Sequence, residues 1–462
     1  MNSFSQNYVG IWKGDVHDAD SIIHFEMNVM IQQDTTIGAT LLKPTTCLLT
    51  DSSFYRNAFH FKSPKREKNF TGEKRNITFT GELTANINQL KGDITIDGKV
   101  YPIEMSRSDK PSYRPQDPQR PYPYYSEDVK FVNKKDHTVI AGTLTLPRKE
   151  GKFPAVILKG GSVPVNRDGE ADNHKMFLIL ADYLTRNGIA VLRCDDRGTG
   201  RSSGDFWKST PLDFANDLLT EYEYLASRKE IKSNEIGLMG HSEGGMDVSI
   251  AASQCPEIKF IVMLASPGIK LREVFEHQTE LAYNDGDIPA VQYEFAKKLN
   301  EQRDKLLDQN LEPKVLTDSL LKFMYRNIDA SFKSVIGTDA EKGMENQIRW
   351  AQMIGIMTEA HNMFNLNIDP SFYLRKLSCP VLSLNGSKDC QVTPEINQNA
   401  IRLALIKAGN KDFKIMELAG LNHSFQECQT GSIKESLTIE QTFSPQALQL
   451  ITEWISEHVV AE

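Results

Sequence analysis

One segment limits what this chain can fold into more than any other. Ile236-Gly-Leu-Met239 is a short apolar run of strand character, Gly240-His241-Ser242-Glu243-Gly244-Gly245 follows at once, and Glu243–Ser253 then has helical spacing. A serine at the tip of a strand-to-helix turn takes strained backbone dihedrals, and glycines two places before and two after it let the turn close without side-chain clashes. A bare Gly-x-Ser-x-Gly arises often by chance, so the weight of the signal lies in its setting. The turn exposes Ser242 and points the free N–H groups of a helix N-terminus at a reacting centre that gains negative charge.

Such a turn belongs to a series of βα units, and the chain supplies one. Strand-like runs at Asp128–Val132 and Val139–Leu146, a hairpin, are followed by Ala155–Leu158, Ala190–Arg193, Ile236–Met239, Phe260–Leu264, Val381–Leu384 and Phe413–Leu418. Helical spacing occupies Lys175–Arg186, Leu212–Arg228, Glu243–Ser253, Glu395–Ala408 and Gln446–His458 between and after them. This alternation predicts a doubly wound, mostly parallel, eight-stranded α/β sheet over 127–462. It is interrupted at about 270–370, where Ala290–Leu306, Val315–Tyr325 and Gln347–Thr358 read as an inserted helical cap. Phe323, Met324, Tyr325, Trp350, Met353, Met357, Met363 and Phe364 in this insertion fit helix–helix packing, and any of them not so used would line an acyl pocket. Upstream, Ile23, Phe25, Met27, Val29 and Ile31 alternate with polar residues, and 76–83 and 92–97 repeat the pattern between turns. Residues 1–110 are therefore expected to form a small antiparallel β sandwich or barrel. Five of the 20 prolines fall between Pro111 and Pro123, which marks 111–126 as an extended linker.

Composition removes several classes of partner. With 53 Lys and Arg against 61 Asp and Glu, a formal net charge of −8 and no basic tract, nucleic acid and anionic membrane are not expected partners. The longest apolar runs, such as 260–265, are far shorter than the roughly 20 residues that span a bilayer, and residues 1–10 lack the basic and apolar regions of a signal peptide. The chain reads as soluble, either cytoplasmic or exported with a signal peptide absent from this sequence. Six scattered cysteines without CxxC spacing suggest neither a disulfide framework nor a zinc site.

A serine hydroxyl is a poor nucleophile until a base takes its proton, and the base needs an orienting acid. Both are found at the ends of later strands. The loop after Val381–Leu384 contains Asp389, whose neighbours Asn385, Gly386, Ser387 and Lys388 include no rival acid, and the loop after Phe413–Leu418 contains His423. Ser242 is assigned as nucleophile, His423 as general base and Asp389 as its orienter. The oxyanion hole is expected from the N–H of Glu243 and the N–H of Ser162 or Val163, in the glycine-containing loop after Ala155–Leu158. Gly161, Asn166, Arg167 and His241 are candidates for the substrate pocket, with loop bracing an equal reading for Asn166 and Arg167, and packing or capping the better one for His241. The run Asp195-Asp-Arg-Gly-Thr-Gly-Arg-Ser-Ser-Gly204 lacks both GxxxxGK[ST] and GxGxxG, so it reads as a tight loop held by Asp195 or Asp196 pairing with Arg197, and not as a phosphate site.

From about Asp128 onward the chain resembles the α/β-hydrolase superfamily. Gly161-Ser-x-Pro-x-Asn-Arg-Asp-Gly-Glu170, the DDRGTGRSSG run and GHSEGG place it near a bacterial esterase-like branch beside the dienelactone hydrolases and acyl-peptide-hydrolase-type enzymes. Val163 stands where similar sequences carry the second glycine of Gly-Ser-Gly-Pro, which narrows the acyl side of the pocket or alters the oxyanion geometry. The resemblance implies hydrolysis of small-molecule acyl esters through Ser242, Asp389 and His423, with neither metal nor other cofactor required. Two alternatives stand beside it: a serine peptidase or amidase of acyl-peptide-hydrolase type, and a non-catalytic binding protein on a hydrolase fold. The N-terminal lobe is a candidate for glycan binding or homodimer formation, without a residue-level signal for either.

Overall fold

The computed structural model describes residues 10–459, apart from 19–20, 33–35, 44–46, 56–57, 63–76, 85, 87, 97, 109–113, 172–173, 285–289, 310, 312, 328–359 and 437–438. The chain divides into two compact units, Met1–Pro115 with Ala171–His174, and Gln116–Glu170 with Lys175–Glu462.

In the first unit the antiparallel strands Gly10–Asp18, Ser21–Gln32, Thr36–Lys43, Cys47–Tyr55, Ala58–Lys62, Ile77–Leu83, Gln89–Ile96 and Lys99–Ser108 form a closed barrel in chain order. The last strand pairs with the first through Gly14 and Met105, so no strand edge is left open. Period-2 alternation places Trp12, Val16, Phe25, Met27, Ile94, Ile96, Ile103 and Met105 inside. Of the two architectures expected, it is the barrel that forms.

In the second unit eight strands make one sheet: β1 Tyr125–Val132, β2 Val139–Leu146, β3 Phe153–Lys159, β4 Ala190–Cys194, β5 Ile231–His241, β6 Ile261–Leu264, β7 Val381–Gly386 and β8 Phe413–Leu418. Their order is β1-β2-β4-β3-β5-β6-β7-β8. β2 runs antiparallel to both its neighbours, and all other pairings are parallel. Alternate residues of each central strand face opposite cores. Ile157, Leu238 and Met263 pack with helices α2 (Pro211–Ala226), α3 (Glu243–Ala252) and, later in the chain, Pro394–Lys407. Val156, Met239 and Val262 pack with α1 (Met176–Arg186) and the C-terminal helix Pro445–His458. Strands buried on both faces read as continuous apolar runs, as they do in the sequence. Each fully buried aliphatic side chain contributes about 1.5–3 kcal/mol.

Between β6 and β7 lie α4 (Leu271–Asn284), α5 (Ala290–Leu307), α6 (Pro313–Asn327) and α7 (Ala360–Asn367), followed by a short turn of helix, Pro370–Leu374. Phe295, Leu299, Leu306, Leu316, Leu320, Met324 and Leu366 form their own core, with Phe323 packed against it. Met324 and Phe323 thus serve helix packing, and Phe364 packs onto the sheet's core. The expected helix Gln347–Thr358, with Trp350, Met353 and Met357, lies outside the described residues, as do the side chains of Tyr325 and Met363. Among the described residues no helix is long and apolar enough to cross a membrane. Within the proline-rich stretch expected to be a linker, Gln116 is built into the second unit: its Nε2 donates to Phe443 O (2.6 Å), and its Oε1 accepts from the N–H groups of Thr442 (2.6 Å) and Phe443 (2.9 Å).

Candidate active site

β5 ends at His241 and α3 begins at Glu243, so the chain must reverse direction at one residue. Ser242 absorbs the turn at φ 56° and ψ −128°, a conformation that costs a non-glycine residue about 1–3 kcal/mol. Its N–H donates to Leu264 O at the end of β6 (2.8 Å), and its carbonyl accepts from Gly245 N–H (3.0 Å), so the surroundings hold the strained residue in place. The space around it is narrow. A Cβ on Gly244 would stand 2.3 Å from Gly160 O and 2.6 Å from Lys159 O, and one on Gly161 would stand 3.0 Å from Ser242 Cβ and 3.5 Å from Ser242 Oγ. Glycine at these two places is what allows the loop after β3 to lie against the serine turn.

β7 and β8 end side by side, with Gly386 opposite Leu418, and the loops beyond them carry Asp389 and His423. His423 Nδ1 donates to Asp389 Oδ2 at 2.8 Å, and both side chains are buried. The other carboxylate oxygen, Oδ1, accepts from the backbone N–H groups of Gln391 and Val392, each at 2.8 Å. With its proton held on Nδ1, the His423 ring keeps Nε2 as the nitrogen with a lone pair, the form a general base requires. His241, the residue before the serine, donates from Nε2 to the His423 carbonyl oxygen at 2.9 Å. This bond ties the serine turn to the backbone of His423. Burial and the neighbouring His423 push the His241 pKa down to about 4, so the ring is neutral. Among the described residues there is no group of three or more His, Cys, Asp or Glu arranged to hold a metal ion.

Several known proteins are similar to parts of this chain. The model of the Hydrolase_4 family (serine aminopeptidase, S33) matches residues 167–321. Esterase EstD of Thermotoga maritima is 25% identical over 361 residues, 77% of this chain and 74% of its own. The second unit has the α/β-hydrolase fold. An uncharacterized 31.7 kDa protein of Escherichia coli is 23% identical over 279 residues, 58% of this chain and 83% of its own. Among solved structures, DcsB with its substrate analogue covers 73% of this chain and 100% of its own at 20% identity (TM-score 0.47), and ferulic-acid-bound Est1E from Butyrivibrio proteoclasticus covers 71% and 96% at 18% identity (TM-score 0.37).

The second unit commits the polar residues around the loop after β3 to holding that loop. Arg167 Nη2 pairs with Asp195 Oδ2 (2.6 Å), and its Nη1 reaches Gly142 O (2.7 Å) and Asp128 Oδ1 (3.1 Å). Asn166 Oδ1 accepts from Asp168 N–H (3.0 Å), while its Nδ2 donates to Glu170 (3.0 Å). Both are therefore occupied as braces. The 195–204 run differs from expectation in its pairings. Asp195 binds Arg167, Asp196 binds Lys159 Nζ (2.7 Å), and Arg197 reaches past both to Asp217 (2.6 Å) and Asp136 (2.7 Å). Asp195 and Asp196 are instead drawn to the loop after β3, where each accepts a backbone N–H, of Arg167 and Val165 respectively (2.9 Å each). Lys159 and Asp247 have no motif to flag them; the available signal is a lone charge in an otherwise apolar strand end and another in an apolar helix.

Proposed function

We propose that this α/β-hydrolase cleaves carboxylic esters through an acyl-enzyme on Ser242. The observation that carries the reading is the pairing of a strained Ser242 elbow with a buried His423–Asp389 dyad (2.8 Å) whose backbone is bonded to the residue before the serine. In this mechanism Ser242 Oγ attacks the ester carbonyl while His423 Nε2 takes its proton. Asp389 fixes the tautomer and stabilises the imidazolium. The N–H of Glu243 and that of Ser162 or Val163 receive the oxyanion, in a partly buried setting where such donors are worth about 2.7–4 kcal/mol each. His423 then protonates the leaving alcohol, and the same base activates water for deacylation.

Ester rather than amide chemistry is favoured by the extent of the likenesses. The likeness to the Thermotoga esterase covers 77% of this chain, whereas the aminopeptidase-described family match ends at residue 321, before both Asp389 and His423. The test is Ser242→Ala assayed on p-nitrophenyl acetate and butyrate beside an aminoacyl-p-nitroanilide panel. Loss of ester turnover with an unchanged melting temperature supports the reading. Full retained activity sinks it, and failure of the wild-type protein to take a fluorophosphonate label points to a binding protein.

A further inference from the structure

Behind the serine turn lies a buried ionic cluster that the steps above do not use. Lys159 is the last residue of β3, immediately before the 160–166 loop, and its side chain is 8% exposed. Its Nζ lies 2.7 Å from Asp196 Oδ1 and 3.9 Å from Asp247 Oδ2, and 4.5 Å from the Phe214 ring centroid. Each contact leads to a different element. Asp196 Oδ2 accepts the N–H of Val165, inside the loop expected to supply one oxyanion donor. Asp247 is fully buried on α3, one turn after Glu243, whose N–H is expected to supply the other. At the same place the Lys159 and Gly160 carbonyls lie against Gly244, leaving no room for a Cβ.

We propose that Lys159 is a positioning residue for the reaction: its buried ammonium, held between Asp196 and Asp247, keeps the 160–166 loop and the first turn of α3 in register as the two halves of the oxyanion hole. The inference rests on the ester-hydrolase reading and deepens it. An isolated ammonium in this setting would be strongly disfavoured, so the two carboxylates are required as much as the lysine. Burial by itself lowers the Lys159 pKa, and Asp196 and Asp247 outweigh it and raise it, which keeps the side chain charged. Burial pushes the Asp247 carboxyl well up while Lys159 draws it down, so the lysine is what opposes protonation of Asp247. A side chain that sets donor positions without touching substrate should act on turnover and leave ground-state binding alone.

The experiment compares wild type, Lys159→Met and Lys159→Met with Asp247→Asn. It measures melting temperature, kcat and KM on p-nitrophenyl butyrate, and the rate constant for fluorophosphonate labelling of Ser242. Lys159→Met leaves Asp196 and Asp247 without their shared cation and lowers stability; the second substitution removes the titratable group at Asp247 and recovers part of the melting temperature. The expected result is that kcat in the double variant stays about ten-fold or more below wild type with KM within about two-fold, and that labelling slows by the same factor, since the phosphyl oxygen uses the same donors. Recovery of kcat together with melting temperature would overturn the proposal, because Lys159 would then serve folding alone. Retained activity in Ser242→Ala overturns the ester-hydrolase reading itself and is a separate outcome.

Discussion

His241 Nε2 lies 2.9 Å from the carbonyl oxygen of His423, so the residue before Ser242 and the histidine paired with Asp389 share a hydrogen bond. The imidazole can donate there only while it is neutral at the other nitrogen or charged at both, and its surroundings choose the neutral form, with the pKa pushed down to about 4 by burial and by His423. In the unfolded chain the same ring titrates near 6.5. The contribution to stability is therefore complete above pH 6.5 and is lost as pH falls toward 4, at up to about 1.4 kcal/mol per pH unit. His241→Gln keeps a donor of similar reach and removes the titration. Denaturation between pH 7 and 4 should give a shallower loss of stability in the variant than in wild type; identical slopes would show that His241 does not titrate between the two states.

Asp389→Asn should leave the fold intact and cripple turnover. Oδ1 is held by the N–H groups of Gln391 and Val392, so the amide oxygen of an asparagine must occupy that position and its NH2 must face His423 Nδ1. That forces the proton onto Nε2, the nitrogen needed to accept the serine proton. A fall in kcat on the order of 10³–10⁴-fold, with a melting temperature near wild type, is the expected outcome on p-nitrophenyl butyrate.

Arg197 anchors the 195–204 loop to α2 and to the β1–β2 turn. Its Nε and Nη2 meet both oxygens of the buried Asp217 (2.6 and 2.9 Å), which also accepts from Asn133 Nδ2 (2.7 Å). Removing one partner of such a pair leaves a buried charge uncompensated, so Arg197→Met should cost about 3–5 kcal/mol. Adding Asp217→Asn should recover most of that loss in a double-mutant cycle followed by thermal melting. Additive losses would mean that the pair does not couple.

The parts of this molecule that were legible in the sequence are those written as local patterns. The inner strands β3 to β7 carry apolar runs because both faces of a parallel strand are buried, and the serine turn is spelled out in six consecutive residues. Asp389 and His423 were reached because strand ends follow each other in a βα series, which fixes where a loop can contribute. The closure of the N-terminal barrel was not legible, since the pairing of Gly14 with Met105 joins residues far apart in the chain and alternation is the same in a sandwich. The partners of Arg197 were missed for the same reason: an adjacent aspartate in sequence is a weak guide when Asp217, one helix later, presents both oxygens in the arginine's plane.

Close packing of the loop after β3 on the serine turn gives a stability–activity prediction. Gly244 on the first turn of α3 faces the carbonyl oxygens of Gly160 and Lys159, which a Cβ would approach to 2.3 and 2.6 Å. Neither oxygen is the end of a flexible side chain, so Gly244→Ala must push β3's trailing loop away from the serine turn or distort α3. Overpacking of this kind costs about 1–3 kcal/mol in stability. Because the displaced loop is the one expected to hold an oxyanion donor, turnover should fall by on the order of 10²-fold while KM changes little. Gly409→Ala is a useful control: Gly409 has open space around it and φ 73°, so the substitution strains the backbone far from the site and should lower melting temperature alone. Measuring kcat and melting temperature for both variants separates the two effects, and a Gly244→Ala protein with wild-type kcat would show that the loop after β3 contributes no donor.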